Sequence, residues 1–223
     1  MADQQALYRL LSWLSPNYPV GAFAYSHGLE YAVEAGRVAT VGDMIEWIET
    51  ALLYGTGRID GVLFREAYVA AEKQDWTALD NLAELGAAFQ PSAEIALESR
   101  SQGDAFLTAT RKAWPAMALN RLEGGAVYPI AHGIACAAHH IPLRDSLAGY
   151  FHGFAANLVS AGVRLIPLGQ SDGQFAIAAL ERSVAKVEAQ SMTIALDDLG
   201  SASPLLDLDS MRHETQYSRL FRL

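Results

Sequence analysis

Four side chains carry the sharpest chemical signal in the sequence: His132, Cys136, His139 and His140 in PIAHGIACAAHHI. On a helix, His132, Cys136 and either His139 or His140 fall on one face, at i, i+4 and i+7 or i+8. Soft nitrogen and sulfur donors of this kind suit nickel, copper or zinc. Helix geometry argues the other way, because three ligands on one straight helix spread over about 10 Å, too far to close on one ion without a bend. A lone cysteine packs well as a small hydrophobe, and histidines near a helix C-terminus are favoured by its dipole. No metal site is therefore assigned. A small helical metal-binding enzyme built on the His132–His140 cluster stands as the alternative function.

The other titratable candidates are more dispersed. His27, near Tyr25, and His213, beside Glu214, read as hydrogen-bonded structural histidines. Arg164, just before an IPLGQ turn, is either a carbonyl cap at its own helix end or a charge presented to a partner. No G-x-x-x-x-G-K-[ST] loop, G-x-S-x-G elbow or H-E-x-x-H pair occurs, so nucleotide hydrolysis by a phosphate loop and the matching hydrolase chemistries are not expected. Gly169 and Gly173 in GQSDG read as a tight interhelical turn.

Composition narrows the class further. The 223 residues are 51% hydrophobic and 18% charged, with a formal net charge of −9. That balance permits a sizeable core and disfavours nucleic acid, whose phosphates need clustered Lys and Arg. The single cysteine, Cys136, cannot form an internal disulfide, and MADQQALYRLL lacks the features of a secretory signal. A cytoplasmic address follows as the expectation.

Helical periodicity dominates the elements that must position these groups. Leu7, Leu10, Leu11 and Leu14 form an i, i+3, i+4, i+7 stripe ended by Pro16. An ordered loop follows over Pro16–Gly28. Further helices are predicted over about Leu29–Ala35, Val41–Tyr54, Gly61–Lys73, Thr77–Phe89, Ala93–Trp114, Arg144–Leu165 and Phe175–Gln190, with Thr40 and Asp75 as N-caps. Segments of alternating polarity are missing, so a sheet is not expected. Over Arg144–Leu165 the stripe Leu147, Tyr150, Phe151, Phe154, Leu158, Ala161 and Leu165 is backed by Gly149, Gly153, Ala156 and Ser160. This pattern predicts the central helix, buried all round against a close backbone. His152, Asn157 and three glycines argue against a membrane span there. The reading is an all-α, compact single-domain bundle of about eight to ten helices. Residues 1–195 form the body and 196–223 a C-terminal tail used for binding.

Four blocks, in order, carry a family likeness: LLSWLSPNYPVGAFAYSHGLEYAVEAG, ESRSQGDAFL, GVRLIPLGQSDGQ and SMRHETQYSRLFR. On these blocks the chain resembles the UreF family of urease accessory proteins over nearly its whole length. The PVG-aromatic loop and the HE-x-x-YSRL-aromatic tail are the specific parts. Two departures are visible: Ala22 stands where the family usually has a second glycine, and Phe23 replaces the common tyrosine. The resemblance implies an all-α homodimer without enzymatic activity or a cofactor of its own. It also implies assembly with UreD (UreH) and the GTPase UreG, bridging the two, and support of nickel insertion into apo-urease. Partner contacts are expected at Phe23 and Tyr25 of the loop, at Arg164, and at His213, Glu214, Tyr217, Arg219, Leu220 and Phe221 of the tail.

Overall fold

A computed structural model describes residues 4–222. It is all-α, with no strand among the described residues. The helices are α1 (Gln4–Trp13), α2 (Leu29–Glu34), α3 (Val41–Leu53), α4 (Thr56–Lys73), α5 (Trp76–Ala88), α6 (Ala93–Ala113), α7 (Tyr128–Ala138), α8 (Leu143–Leu165), α9 (Gln170–Ser191) and α10 (Pro204–His213). Short 3-10 turns cover Ala22–Ala24, Met117–Arg121 and Leu196–Asp198.

Local chemistry explains where the helices begin. Thr40 accepts from the Asp43 N–H while the Asp43 carboxylate accepts from the Thr40 N–H, a reciprocal capping box. Asp75 accepts from Ala78 N–H at 3.0 Å and Ser92 from Ile95 N–H at 3.1 Å. The connection expected between a helix ending at Leu165 and one starting at Phe175 is shorter than predicted. Gly169 N–H donates to Asp172 Oδ2 at 2.8 Å, and α9 starts at Gln170, so GQSDG opens a helix instead of forming a turn.

The central helix is α7, not α8. Every residue from Pro129 to Ala137 is buried, and α7 packs most closely on α4. A Cβ on Gly133 would lie 2.5 Å from the Phe64 carbonyl oxygen, so a larger residue would push the two backbones apart. By contrast, α8 exposes His152, Ser160 and Arg164. Its small-residue face meets a side chain rather than a backbone: a Cβ on Gly149 would lie 2.6 Å from Leu14 Cδ1, and one on Gly153 3.5 Å from Leu14 Cδ2. The stripe predicted for α1 is also rotated. Leu7 and Leu11 are exposed, and Ala6, Leu10 and Trp13 face the core. The Trp13 ring sits edge-on to Phe106 at 5.7 Å and to Trp114 at 6.0 Å, aromatic contacts that hold this face of the helix toward the core. No helix among the described residues is long and apolar enough to cross a membrane.

Candidate functional site

Three of the sequence blocks meet at the end of α8. Gly21, at φ 74°, turns the chain into the Ala22–Ala24 helix. Ala22 is not among the residues of positive φ, so the methyl there is compatible with the turn. The Phe23 ring is 68% exposed, and its carbonyl accepts from Arg164 Nη2 at 2.9 Å. The same guanidinium donates through Nε to Ser160 O at 3.1 Å and stands 4.3 Å from the Phe221 ring centroid. Arg222 N–H donates to Ala24 O at 2.7 Å. Arg164 therefore caps its own helix and also ties the loop to the C-terminal segment.

The C-terminal segment is anchored through a buried ion cluster. Gly28, at φ 87°, lets α10 approach the start of α2 so closely that a Cβ would lie 2.8 Å from Ser210 N. This contact delivers His213 between two carboxylates. Its Nε2 lies 2.8 Å from Glu30 Oε2 and its Nδ1 is hydrogen-bonded to Glu94 Oε1. Carboxylates accept, so both ring nitrogens must donate, and only the imidazolium does this. Burial pulls the His213 pKa down, but the hydrogen bonds and charges of Glu94 and Glu30 outweigh it and raise the value. Glu30 also accepts the backbone N–H groups of Leu220 (2.6 Å) and Phe221 (3.1 Å). Ser92 and Ser210 share a hydrogen bond of 2.7 Å, and Arg37 pairs with the buried Asp209.

The expected partner-contact residues thus divide by exposure. Tyr25, His213 and Phe221 are buried, and Glu214 is half-buried with its carboxylate on the Glu94 N–H. Phe23, Tyr217, Arg219 and Leu220 face solvent, Tyr217 completely. Phe23, Arg164 and Phe221 are brought together, and Leu220 follows along the same stretch of backbone.

A second polar cluster lies at the depth of a cavity of about 420 Å³ formed between the end of α1, the 14–23 loop, α6 and α8. His27 Nε2 lies 2.7 Å from Thr56 Oγ1, and its Nδ1 lies 3.1 Å from Glu98 Oε2. Gln102 Nε2 donates to Glu98 Oε1 at 2.9 Å, and the Tyr150 hydroxyl donates to Asp60 Oδ2 at 2.7 Å. Desolvation pushes the Asp60 carboxyl up to about 7, against the opposing pull of the Tyr150 bond and the His27 charge. For His27, burial lowers the value, but Glu98, Asp60 and Glu94 together raise it.

The structure does not assemble the histidine–cysteine run into a ligand set. His132 is fully buried among the rings of Phe106, Tyr128, Phe64 and Tyr150, and neither ring nitrogen has a hydrogen-bond partner among the described residues. Desolvation drives its pKa down to about 3 and pushes the Cys136 thiol up to about 12. His139 ends α7, with Nε2 3.1 Å from Trp114 O, and His140 is exposed at φ 56°. Among the described residues no group of three or more His, Cys, Asp or Glu could hold a metal ion. Sequence reasoning missed Glu30, Glu94, Glu98 and Asp60. Each lies on a helix whose pattern reads as an ordinary polar position, and only the fold brings them together.

Most of the buried ionisable groups of this all-α molecule are engaged in internal ties, and aromatic and basic groups are held at its surface, an arrangement suited to a protein that acts by contact. Comparison with known proteins agrees. The family model described as UreF matches residues 38–181. The chain is 53% identical to the urease accessory protein UreF of Granulibacter bethesdensis over 97% of this chain and 94% of that protein. It is 49% identical to the protein of the same name from Rhodopseudomonas palustris strain BisB5 over 99% and 93%, and 46% identical to that of Bradyrhizobium diazoefficiens over 99% and 93%. The chain belongs to the UreF family of urease accessory proteins. Its relatives are named as accessory proteins, not as enzymes.

Proposed function

We propose that this chain supports urease maturation by bridging a UreD/UreH-type accessory protein and a UreG-type GTPase, aiding nickel insertion into apo-urease. The carrying observation is the junction at Arg164. Loop, α8 end and C-terminal segment are bound to one another there, and Phe23 and Leu220 stay exposed beside them. Aromatic, leucine and arginine side chains on a pre-organised backbone suit a contact surface, because little ordering entropy remains to be lost on docking. The partner-contact set is Phe23, Arg164, Tyr217, Arg219 and Leu220, with Tyr25, His213, Glu214 and Phe221 holding that surface in shape from beneath. The C-terminal segment from residue 196 is the part of the chain devoted to this contact.

In this reading the chain works in the cytoplasm, as a homodimer, and the nucleotide chemistry resides on the GTPase. Co-expression with UreD- and UreG-type partners and apo-urease provides the test. Native protein should co-purify with both partners and permit nickel-dependent urease activation. A Tyr217→Ala/Leu220→Ala variant should stay folded yet lose the UreD-type partner. Full co-purification and activation by that variant would overturn the assignment of the tail, and failure of the native chain to capture either partner would overturn the bridging role. Light scattering of the purified chain reads the dimer directly.

A further inference from the structure

The cavity above α6 and α8 shares only Phe23 with the contact surface proposed above. Its rim carries the partly or wholly exposed rings of Tyr18, Phe23 and Phe154, and its depth carries the buried carboxylates of Asp60 and Glu98. The two acids differ. Both oxygens of Glu98 are occupied, by His27 and by Gln102. Asp60 is more than nine-tenths buried, yet only its Oδ2 accepts a hydrogen bond, from Tyr150. Its Oδ1 has no donor among the described residues and is not one of the sealed unpaired atoms, which leaves it facing the space of the cavity. A buried carboxylate with an open oxygen calls for a donor, and a charged donor matches it best.

The chain does not supply that donor. No lysine or arginine lines the cavity among the described residues. The nearby His27 has both ring nitrogens engaged, with Glu98 and with Thr56. An anion would meet two carboxylates, and a metal ion would find no three free ligands. The walls are apolar and aromatic: Leu14, Gly153 and Phe154 offer room for a short hydrocarbon stem, and aromatic faces attract cations.

We propose that this cavity is a binding site for an organic cation, an ammonium or guanidinium group on a short apolar stem, with Asp60 as its counter-ion. The group is either a free amine or a lysine or arginine side chain of a docked protein, and the recognition chemistry is the same for both.

The test titrates the intact protein with n-butylammonium and n-butylguanidinium, using 1-pentanol as the neutral control, and follows binding by calorimetry. For ligands of so few atoms a Kd near ~1 mM is expected. Either cation should bind roughly tenfold more tightly than the alcohol. Asp60→Asn keeps an acceptor for Tyr150 and should melt normally while losing the preference for the cation. Tyr150, Glu98 and His27 face Asp60 from α8, α6 and the loop. Acid neutralises Asp60 and charges His27, so affinity should rise by up to about tenfold from roughly pH 6 to pH 8. No saturable binding of either cation, equal binding of the alcohol, or undiminished binding by a folded Asp60→Asn variant would each overturn the site. A final arm adds n-butylammonium to the complex with a UreD-type partner. Loss of the partner assigns the natural group to a protein side chain, retention assigns it to a free amine, and both outcomes support the site.

Discussion

Replacing His213 with glutamine removes the positive charge between Glu30 and Glu94 while keeping a side chain of similar reach. The imidazolium side chain is 1% exposed, and the two glutamates are 8% and 3% exposed. Removing one partner from a buried ion cluster typically costs about 3–5 kcal/mol, because the remaining charges stay desolvated and uncompensated. Glutamine can donate to one carboxylate but must turn its carbonyl oxygen toward the other, so no substitute geometry recovers the loss. At about 2–4 °C per kcal/mol for a chain of this size, the melting temperature should fall by roughly 6–20 °C. The pH dependence has a defined sign. The folded-state pKa of His213 is raised, so its stabilisation is complete below the unfolded value of about 6.5 and is lost as pH rises through the folded value. Urea unfolding of both proteins at about pH 6 and about pH 9 should therefore show a large difference in acid that shrinks in base, where neutral histidine resembles glutamine. A difference below about 1 kcal/mol at the lower pH, or one that grows with pH, refutes the imidazolium assignment.

Three further outcomes are expected. Arg164→Ala removes the tie to Phe23 O and the contact with Phe221, and should cost about 1–2 kcal/mol at this exposed position. Protease cleavage near the C-terminus should then quicken and urease activation fall, whereas unchanged proteolysis would mean that the guanidinium does not hold the segment. Gly28→Ala places a methyl 2.8 Å from Ser210 N at φ 87° and should cost at least about 1–3 kcal/mol, with hydrogen exchange rising first in α10; uniform exchange across the protein would contradict the local origin. Tyr217→Ala and Leu220→Ala alter side chains that are 105% and 64% exposed, so stability should stay within about 0.5 kcal/mol while partner capture weakens. A large loss of stability would place these side chains in the core.

Much of the architecture was legible because it is local. Each predicted helix exists, with ends within a few residues for most, because caps and stops act over three or four positions: Thr40 with Asp43, Asp75 with Ala78, Pro16 and Pro115 beyond their helices. Two starts were placed too late: Thr56 begins α4 without a side-chain cap to mark it, and α9 begins at Gln170 instead of about Phe175 because GQSDG opens the helix. Assigning helix faces was harder. The leucines of α1 matched the helical period as well as Ala6, Leu10 and Trp13 did, and only the neighbouring rings of Phe106 and Trp114 settled which side is buried.

What the sequence alone determined is therefore the all-α class, the order of most of the helices (α10 was read as part of the tail) and the family to which the four blocks point. Tertiary structure decided that α7 is central, that His132 and Cys136 of the histidine–cysteine run are core packing, and that the tail residues His213 and Phe221 lie inside while Tyr217 and Leu220 lie outside. It also decided the buried clusters: Glu30 and Glu94 meet His213 across 183 and 119 residues, and Asp60 meets Tyr150 across 90. The physical reason is one of range. Helix formation follows from interactions between residues three or four apart, which a sequence displays directly. Burial of a charge depends on which distant helices close over it, and no local pattern encodes that.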